Sequence, residues 1–222
     1  MAGQIAHVIF DLDGTLADTG ADLAASVNHV LETFGLDPLD PSIVHRYVGD
    51  GARVLVERSV GIARRDLWDR GVDMFLAFYR QHLLDRTRLY DGVGELLAAL
   101  ARAGVSASVL TNKPEDLSRG ILEALGVLGA FVDVVGGDTL PVRKPDPRGV
   151  LRLLRLTDTP VGEALIVGDS PVDSATARAS QVPFCGVSWG FNPEGLAAEG
   201  VPIVGSAEGL KRVILGDDRI WI

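Results

Sequence analysis

The stretch Ile5-Ala6-His7-Val8-Ile9-Phe10-Asp11-Leu12-Asp13-Gly14-Thr15 decides the fold. Six largely apolar residues suit a buried strand, and the run stops at two aspartates and a glycine, residues that favour a turn. Four more short runs of this kind follow, each closed by a polar turn. Residues 105–110 run into Thr111-Asn112-Lys113-Pro114, and residues 131–135 into Gly136-Gly137-Asp138. Residues 164–167 run into Gly168-Asp169-Ser170-Pro171, and residues 184–189 into Gly190. Helices fit between them at 94–103, 114–125, 147–156 and 171–179, several opened by a proline, whose missing N–H is no loss in a first turn. Continuous apolar strands alternating with helices predict an α/β fold, a doubly wound parallel sheet of Rossmann-like type covered on both faces.

One interval breaks the alternation. Between residues 19 and 84 there is no strand signal, only helical stretches at 21–34, 41–61 and 63–83. Leu23, Val27, Val30 and Leu31 share one face of the first at helical spacing. A crossover needs a single helix, so this interval predicts a small helical cap domain inserted after the first strand. The expected division is a core of residues 1–18 and 84–222 with a cap of residues 19–83.

Composition bounds the function. The 222 residues carry 21 basic and 30 acidic side chains, a net charge of −9, which nucleic-acid phosphates would repel. A 47% hydrophobic content is that of a packed globular chain. The single cysteine, Cys185, excludes an intramolecular disulfide, and His7, His29, His45 and His82 lack metal-ligand spacing. No run of eighteen apolar residues predicts a membrane span, and the first seven residues lack the pattern of a signal peptide, so a cytoplasmic protein is expected. Trp68, Trp189, Trp221, Phe75, Phe78 and Tyr79 read as core or cap-interface residues. Only three lysines occur: Lys113, Lys144 and Lys211.

The polar residues that stand out follow the C-terminal ends of predicted strands, the edge where open parallel sheets bind ligands. They are Asp11 and Asp13, Thr111 and Asn112, Lys144, and Asp169 with Asp173. Carboxylates with one lysine and one hydroxyl suit Mg²⁺ and a phosphate, hard oxygen ligands for the cation and positive charge for the anion. Each motif alone has a plainer reading: turn chemistry for Asp11-Leu12-Asp13-Gly14, helix capping for Thr111-Asn112 and Gly168-Asp169-Ser170-Pro171, and a solvated charge for Lys144. Their joint occurrence, each after a strand, favours a site.

With these four motifs the chain resembles the haloacid dehalogenase-like hydrolases over nearly its whole length. It is most similar to their phosphoglycolate phosphatase branch, through Ala21-Asp22-Leu23-Ala24, Val48-Gly49-Asp50-Gly51-Ala52, Tyr90-Asp91-Gly92-Val93, Val135-Gly136-Gly137-Asp138 and Lys144-Pro145-Asp146-Pro147. The resemblance implies Asp11 as nucleophile, forming an aspartyl-phosphate, and Asp13 as general acid and base. It implies Mg²⁺ held by Asp11, the backbone carbonyl of Asp13 and Asp169, with Asp173 on metal-bound water or orienting Lys144. Thr111, Asn112 and Lys144 would bind the phosphoryl oxygens. The implied partner is a small phosphorylated metabolite, most closely 2-phosphoglycolate, acted on by a monomer or homodimer without nucleic acid or membrane.

Other reactions of the resembled family fit less well. Asp13 argues against dehalogenation, and the absence of lysine from Gly14 to Tyr90 argues against a phosphonate-hydrolase Schiff base. A phosphatase or phosphomutase for another small phosphate ester (a sugar phosphate, nucleotide or pyrophosphate) and an idle binding or regulatory homologue are the alternatives. In the cap, Gly49, Gly51 and Arg53 are the expected specificity residues, the glycines for close backbone approach and the guanidinium for a substrate carboxylate. Two departures from the family pattern concern packing: Ser174 and Thr176 interrupt an apolar helix face. Gln181 stands where glycine is expected, predicting a different helix ending.

Overall fold

The structure is a computed structural model that describes residues 4–216, so Trp221 and the outer ends of the expected core lie outside the described residues. The first strand, β1 (His7–Phe10), is buried on both faces. A short second strand, β2 (Ala17–Asp18), leads to four helices: α1 (Gly20–Thr33), α2 (Pro41–Tyr47), α3 (Ala52–Val60) and α4 (Trp68–Gln81), the last preceded by a 3₁₀ turn at Ile62–Leu67. Then come β3 (Arg88–Leu89), α5 (Val93–Arg102), β4 (Ser106–Leu110), α6 (Glu115–Ala124), β5 (Val134–Val135) and α7 (Arg148–Leu156). The remainder is β6 (Ala164–Gly168), α8 (Pro171–Ser180), β7 (Phe184–Val187), α9 (Pro193–Ala198), β8 (Ile203–Val204) and α10 (Ala207–Leu215).

Six strands form one parallel sheet in the order β5-β4-β1-β6-β7-β8. Phe10 lies opposite Val109 of β4 and Val167 of β6. Because side chains alternate along a strand, Val8 and Phe10 enter one core with Leu96, Leu100, Ile121 and Leu210, from α5, α6 and α10. Ile9 enters the other with Leu153, Leu154 and Ala177, from α7 and α8. The winding reverses at β1: the chain builds outward on one side to β5, then returns to lay β6 on the other. That places the crevice above the C-terminal ends of β1, β4 and β6.

Helices α1–α4 pack on one another around a separate apolar cluster that includes Leu23, Val27, Leu31, Val44, Leu55, Val56, Phe75 and Tyr79. The chain enters and leaves this helical unit through the antiparallel pair β2–β3, with Ala17 opposite Leu89 and Asp18 opposite Arg88. Buried Asp22 ties the two connections together, its Oδ2 accepting hydrogen bonds from Thr87 N–H (2.9 Å), Thr87 Oγ1–H (2.8 Å) and Arg86 N–H (3.1 Å).

Two expectations are corrected. The predicted helix 41–61 is two helices, because Gly49 (φ 124°) and Gly51 (φ 90°) take left-handed conformations that break it. Residues 17–18 and 88–89, for which the sequence predicts no element, form a strand pair too short to show a period. Gln181 does not change the ending of α8: it takes the left-handed conformation itself (φ 60°, ψ 22°), and its N–H bonds back to the carbonyls of Ala177 and Arg178. The polar residues within α8 are satisfied locally, Ser174 Oγ donating to Glu199 Oε2 at 2.6 Å and Thr176 Oγ1 to the Val172 carbonyl at 2.7 Å.

Candidate active site

Asp11 is the first residue beyond β1. Its Oδ1 accepts from the Leu12 N–H at 2.7 Å and lies 2.9 Å from Lys144 Nζ. The next turn needs glycine: Gly14 has φ 79°, and a Cβ there would overlap the Asp169 carboxylate. Asp169, just beyond β6, is fixed by the Phe191 N–H on Oδ2 (2.7 Å) and by Thr15 Oγ1 on Oδ1 (3.3 Å). Asp173 closes a capping box at the start of α8, its Oδ2 accepting from Ser170 N–H (3.1 Å) and Oγ–H (2.6 Å). Its other oxygen accepts from Lys144 Nζ at 2.6 Å. Asp173 and Lys144 are thus held together by a direct hydrogen bond.

Asp11, Asp169 and Asp173 are all buried, and each offers an oxygen within 4.8 Å of the others. Burial pushes the Asp11 carboxyl up to about 7, against the pull of Lys144 and helped by the charges of Asp173 and Asp13. Burial raises Asp169 well above the carboxylate range, and the charges of Asp173 and Asp11 add to it. Burial works against the Lys144 charge, but Asp11 and Asp173 outweigh it and hold its pKa above the usual lysine value. Three buried carboxylates around one ammonium leave surplus negative charge, and the donors are all hard oxygens. This set fits a divalent cation such as Mg²⁺. The Asp13 carboxylate is not in the trio; it faces Thr19 Oγ1 (2.6 Å) and Lys113 Nζ (2.8 Å).

Lys113 is the residue that sequence reasoning missed. It is buried, and its Nζ also donates to the Tyr79 hydroxyl at 2.6 Å, joining a side chain of α4 to the loop after β4. Burial opposes its charge, yet Asp13 and Tyr79 hold its pKa above the usual lysine value. The signal available was position: a scarce lysine directly after Thr111-Asn112 at a strand's C-terminal end.

Thr111 is buried at the end of β4, where its Oγ1 accepts from the Lys113 N–H at 3.3 Å and keeps its own hydrogen to donate. Asn112 departs from expectation. Its side-chain Nδ2 donates to the carbonyls of Gly49 (2.9 Å) and Lys144 (3.1 Å), fastening the α2–α3 loop to the sheet edge, while its Oδ1 is buried without a partner. The side-chain amide N–H groups are therefore already engaged.

A cavity of about 40 Å³, partly open to solvent, runs from Asp11, Asp13 and Thr111 to the helical unit. Gly49 and Gly51 line it, with mostly apolar walls from Leu23, Leu55, Phe75 and Leu117. Arg53 does not line it. It stands exposed on α3, paired with Asp69 (2.7 Å) and Glu57 (3.3 Å), because the face of α3 turned inward is that of Leu55 and Val56.

The carboxylate trio of Asp11, Asp169 and Asp173, with Asp13 and two buried lysines, shares one crevice. The sequence profile of the family described as haloacid dehalogenase-like hydrolase matches residues 8–187, and the chain belongs to that family. It is 43% identical over 201 residues to the phosphoglycolate phosphatase of Rhodospirillum rubrum, covering 87% of this chain and 83% of that protein. It is 39% identical over 188 residues to that of Mesorhizobium japonicum, covering 83% of each. A crystal structure described as a predicted phosphoglycolate phosphatase from Haemophilus somnus matches with a TM-score of 0.89 at 31% identity, over 95% of this chain and 98% of that one. Among the described residues no helix is long and apolar enough to cross a membrane.

Proposed function

We propose that the protein is a Mg²⁺-dependent phosphatase that hydrolyses 2-phosphoglycolate through a phosphorylated Asp11. The observation that carries the reading is the pairing of Asp11 and Asp13 with separate buried lysines at one sheet edge, in a chain whose relatives are named for that substrate. In the first step an Asp11 oxygen attacks phosphorus, the ester P–O bond breaks, and Asp13 gives its proton to the departing glycolate oxygen. In the second, Asp13 takes a proton from water as that water attacks the same phosphorus, releasing phosphate and restoring Asp11. Lys144 and the Thr111 hydroxyl bind the phosphoryl oxygens.

Anion–anion approach opposes the first step, by about 4 kcal/mol per unit pair at about 4 Å and an effective dielectric of 20. Mg²⁺, held by Asp11, the Asp13 backbone carbonyl and Asp169, would supply the charge that offsets this repulsion. Residues 19–83 act as a cap over the core of residues 1–18 and 84–222, keeping bulk water from the phosphorylated aspartate. We assign the working form to a monomer or homodimer in the cytoplasm. Phosphate release from a panel of small phosphomonoesters, with and without Mg²⁺, tests the reading. It predicts 2-phosphoglycolate as the preferred substrate and no turnover without metal; indifference to metal, or preference for a sugar phosphate, would replace it.

A further inference from the structure

Among the described residues, Lys113 is the one cationic side chain lining the cavity beside Asp13. Its ammonium has three N–H donors, and the structure gives two of them acceptors, Asp13 Oδ1 at 2.8 Å and the Tyr79 hydroxyl at 2.6 Å. The Tyr79 hydroxyl receives that bond and, among the described residues, donates to no acceptor. Both groups are buried, and the walls beyond them are apolar, so an anion placed there would meet these two donors in a medium that screens charge poorly. Lys144, the other buried lysine, is turned away onto Asp11 and Asp173. The two lysines mark two ends of one site.

We propose that Lys113 Nζ and the Tyr79 hydroxyl form a carboxylate subsite that recognises the non-phosphoryl end of the substrate. This rests on the phosphoglycolate reading. In that substrate a single carbon separates the ester oxygen from the carboxyl group, so a carboxylate must lie beside whatever group serves the ester oxygen. Asp13 is assigned that service, and Lys113 touches Asp13. Specificity thus comes from the core loop after β4 and from α4, not from Arg53, which the fold leaves outside the cavity.

The test compares 2-phosphoglycolate with ethyl phosphate, in which a methyl group replaces the carboxylate. The wild type, Lys113→Met and Tyr79→Phe are assayed with Mg²⁺, each first checked for native circular dichroism. The wild type should prefer 2-phosphoglycolate. Lys113→Met should lower that preference, as a ratio of kcat/KM values, by about 10- to 100-fold, the range for losing a hydrogen bond to a charged group. Tyr79→Phe, which keeps the ring, should lower it by a smaller factor, mainly through KM. If Lys113 only holds Asp13 in place, both substrates lose kcat equally and the ratio stays unchanged, which would overturn the subsite while leaving the phosphatase reading intact. A wild type with no preference for 2-phosphoglycolate would overturn the substrate reading and the subsite together. Should Lys113→Met not fold, an unchanged ratio in Tyr79→Phe overturns the two-donor subsite by itself.

Discussion

Asp11 and Asp13 are two residues apart and chemically identical, yet their neighbours divide the work between them. Asp11 faces Lys144 among the carboxylates that suit a cation, whereas Asp13 faces Lys113 and Thr19 beside the cavity. Asp13→Asn should lower kcat by roughly 10²–10⁴-fold, with the greatest loss for substrates whose leaving groups are poor, measured as phosphate release across an aryl and alkyl phosphate series. Arg53→Ala should leave the preference for 2-phosphoglycolate where it was. The pairing of Arg53 with Glu57 was legible as an i,i+4 spacing, a sign that the guanidinium already had a partner on its own helix. Lys113 was harder to read, because nothing local distinguishes a buried lysine from a surface one; only the docking of α4 supplies Tyr79. His7 carries a pH effect. It is buried with Nε2 unpartnered, and burial pushes its pKa down to about 4. The unfolded chain takes up this proton as pH falls below about 6.5, while the folded chain resists until about 4. Its contribution is therefore fully present above pH 6.5 and lost as pH falls towards 4, about 3 kcal/mol in all. Urea unfolding between pH 7 and 4.5 should show a shallower pH dependence in His7→Gln than in the wild type; equal slopes would remove His7 as the cause.

The elements that presented their side chains with a regular period were readable. The expected strands at 5–10, 105–110, 131–135, 164–167 and 184–189 correspond to β1, β4, β5, β6 and β7, and the expected helices flanking them correspond to α5–α8. β5 has only two residues but closes the apolar run 131–135, whereas β2 and β3 close no such run, and their pairing is decided by what they join. The ending of α8 shows a different limit. A left-handed position is required there by the chain's return to β7, and Gln181 meets it despite its Cβ. That conformation costs a residue with a Cβ roughly 1–2 kcal/mol, and the greater freedom of glycine in the unfolded chain offsets about half. Gln181→Gly should therefore stabilise the protein by roughly 0.5–1 kcal/mol and raise Tm by about 1–4 °C in a thermal scan. A lowered Tm would mean that the glutamine side chain contributes more than its backbone strain removes.

At the scale of the molecule, the reversal of strand order at β1 brings Asp11, Thr111 and Asp169 to one edge from residues up to 158 apart in sequence. The motifs and their common sheet edge were visible before the fold, but the strand order that makes them neighbours, with β1 between β4 and β6, was not. The helical unit meets that edge at its α2–α3 loop through Asn112, and Asp22 ties its two chain connections together. A cation at the carboxylate trio would bind only the folded chain, so Mg²⁺ should raise Tm in a concentration-dependent way, and Asp169→Ala should abolish the rise. Ca²⁺ should restore activity poorly after chelation, because it favours more ligands at longer distances and would displace Asp11 from phosphorus. The central claim is that Asp11 attacks the phosphoryl group. Its most direct test is phosphate release from 2-phosphoglycolate by purified wild type and Asp11→Asn side by side in saturating Mg²⁺. The account predicts turnover by the wild type and none above the uncatalysed rate by the variant, whose amide cannot form the acyl phosphate; a variant that releases phosphate at close to the wild-type rate would contradict it.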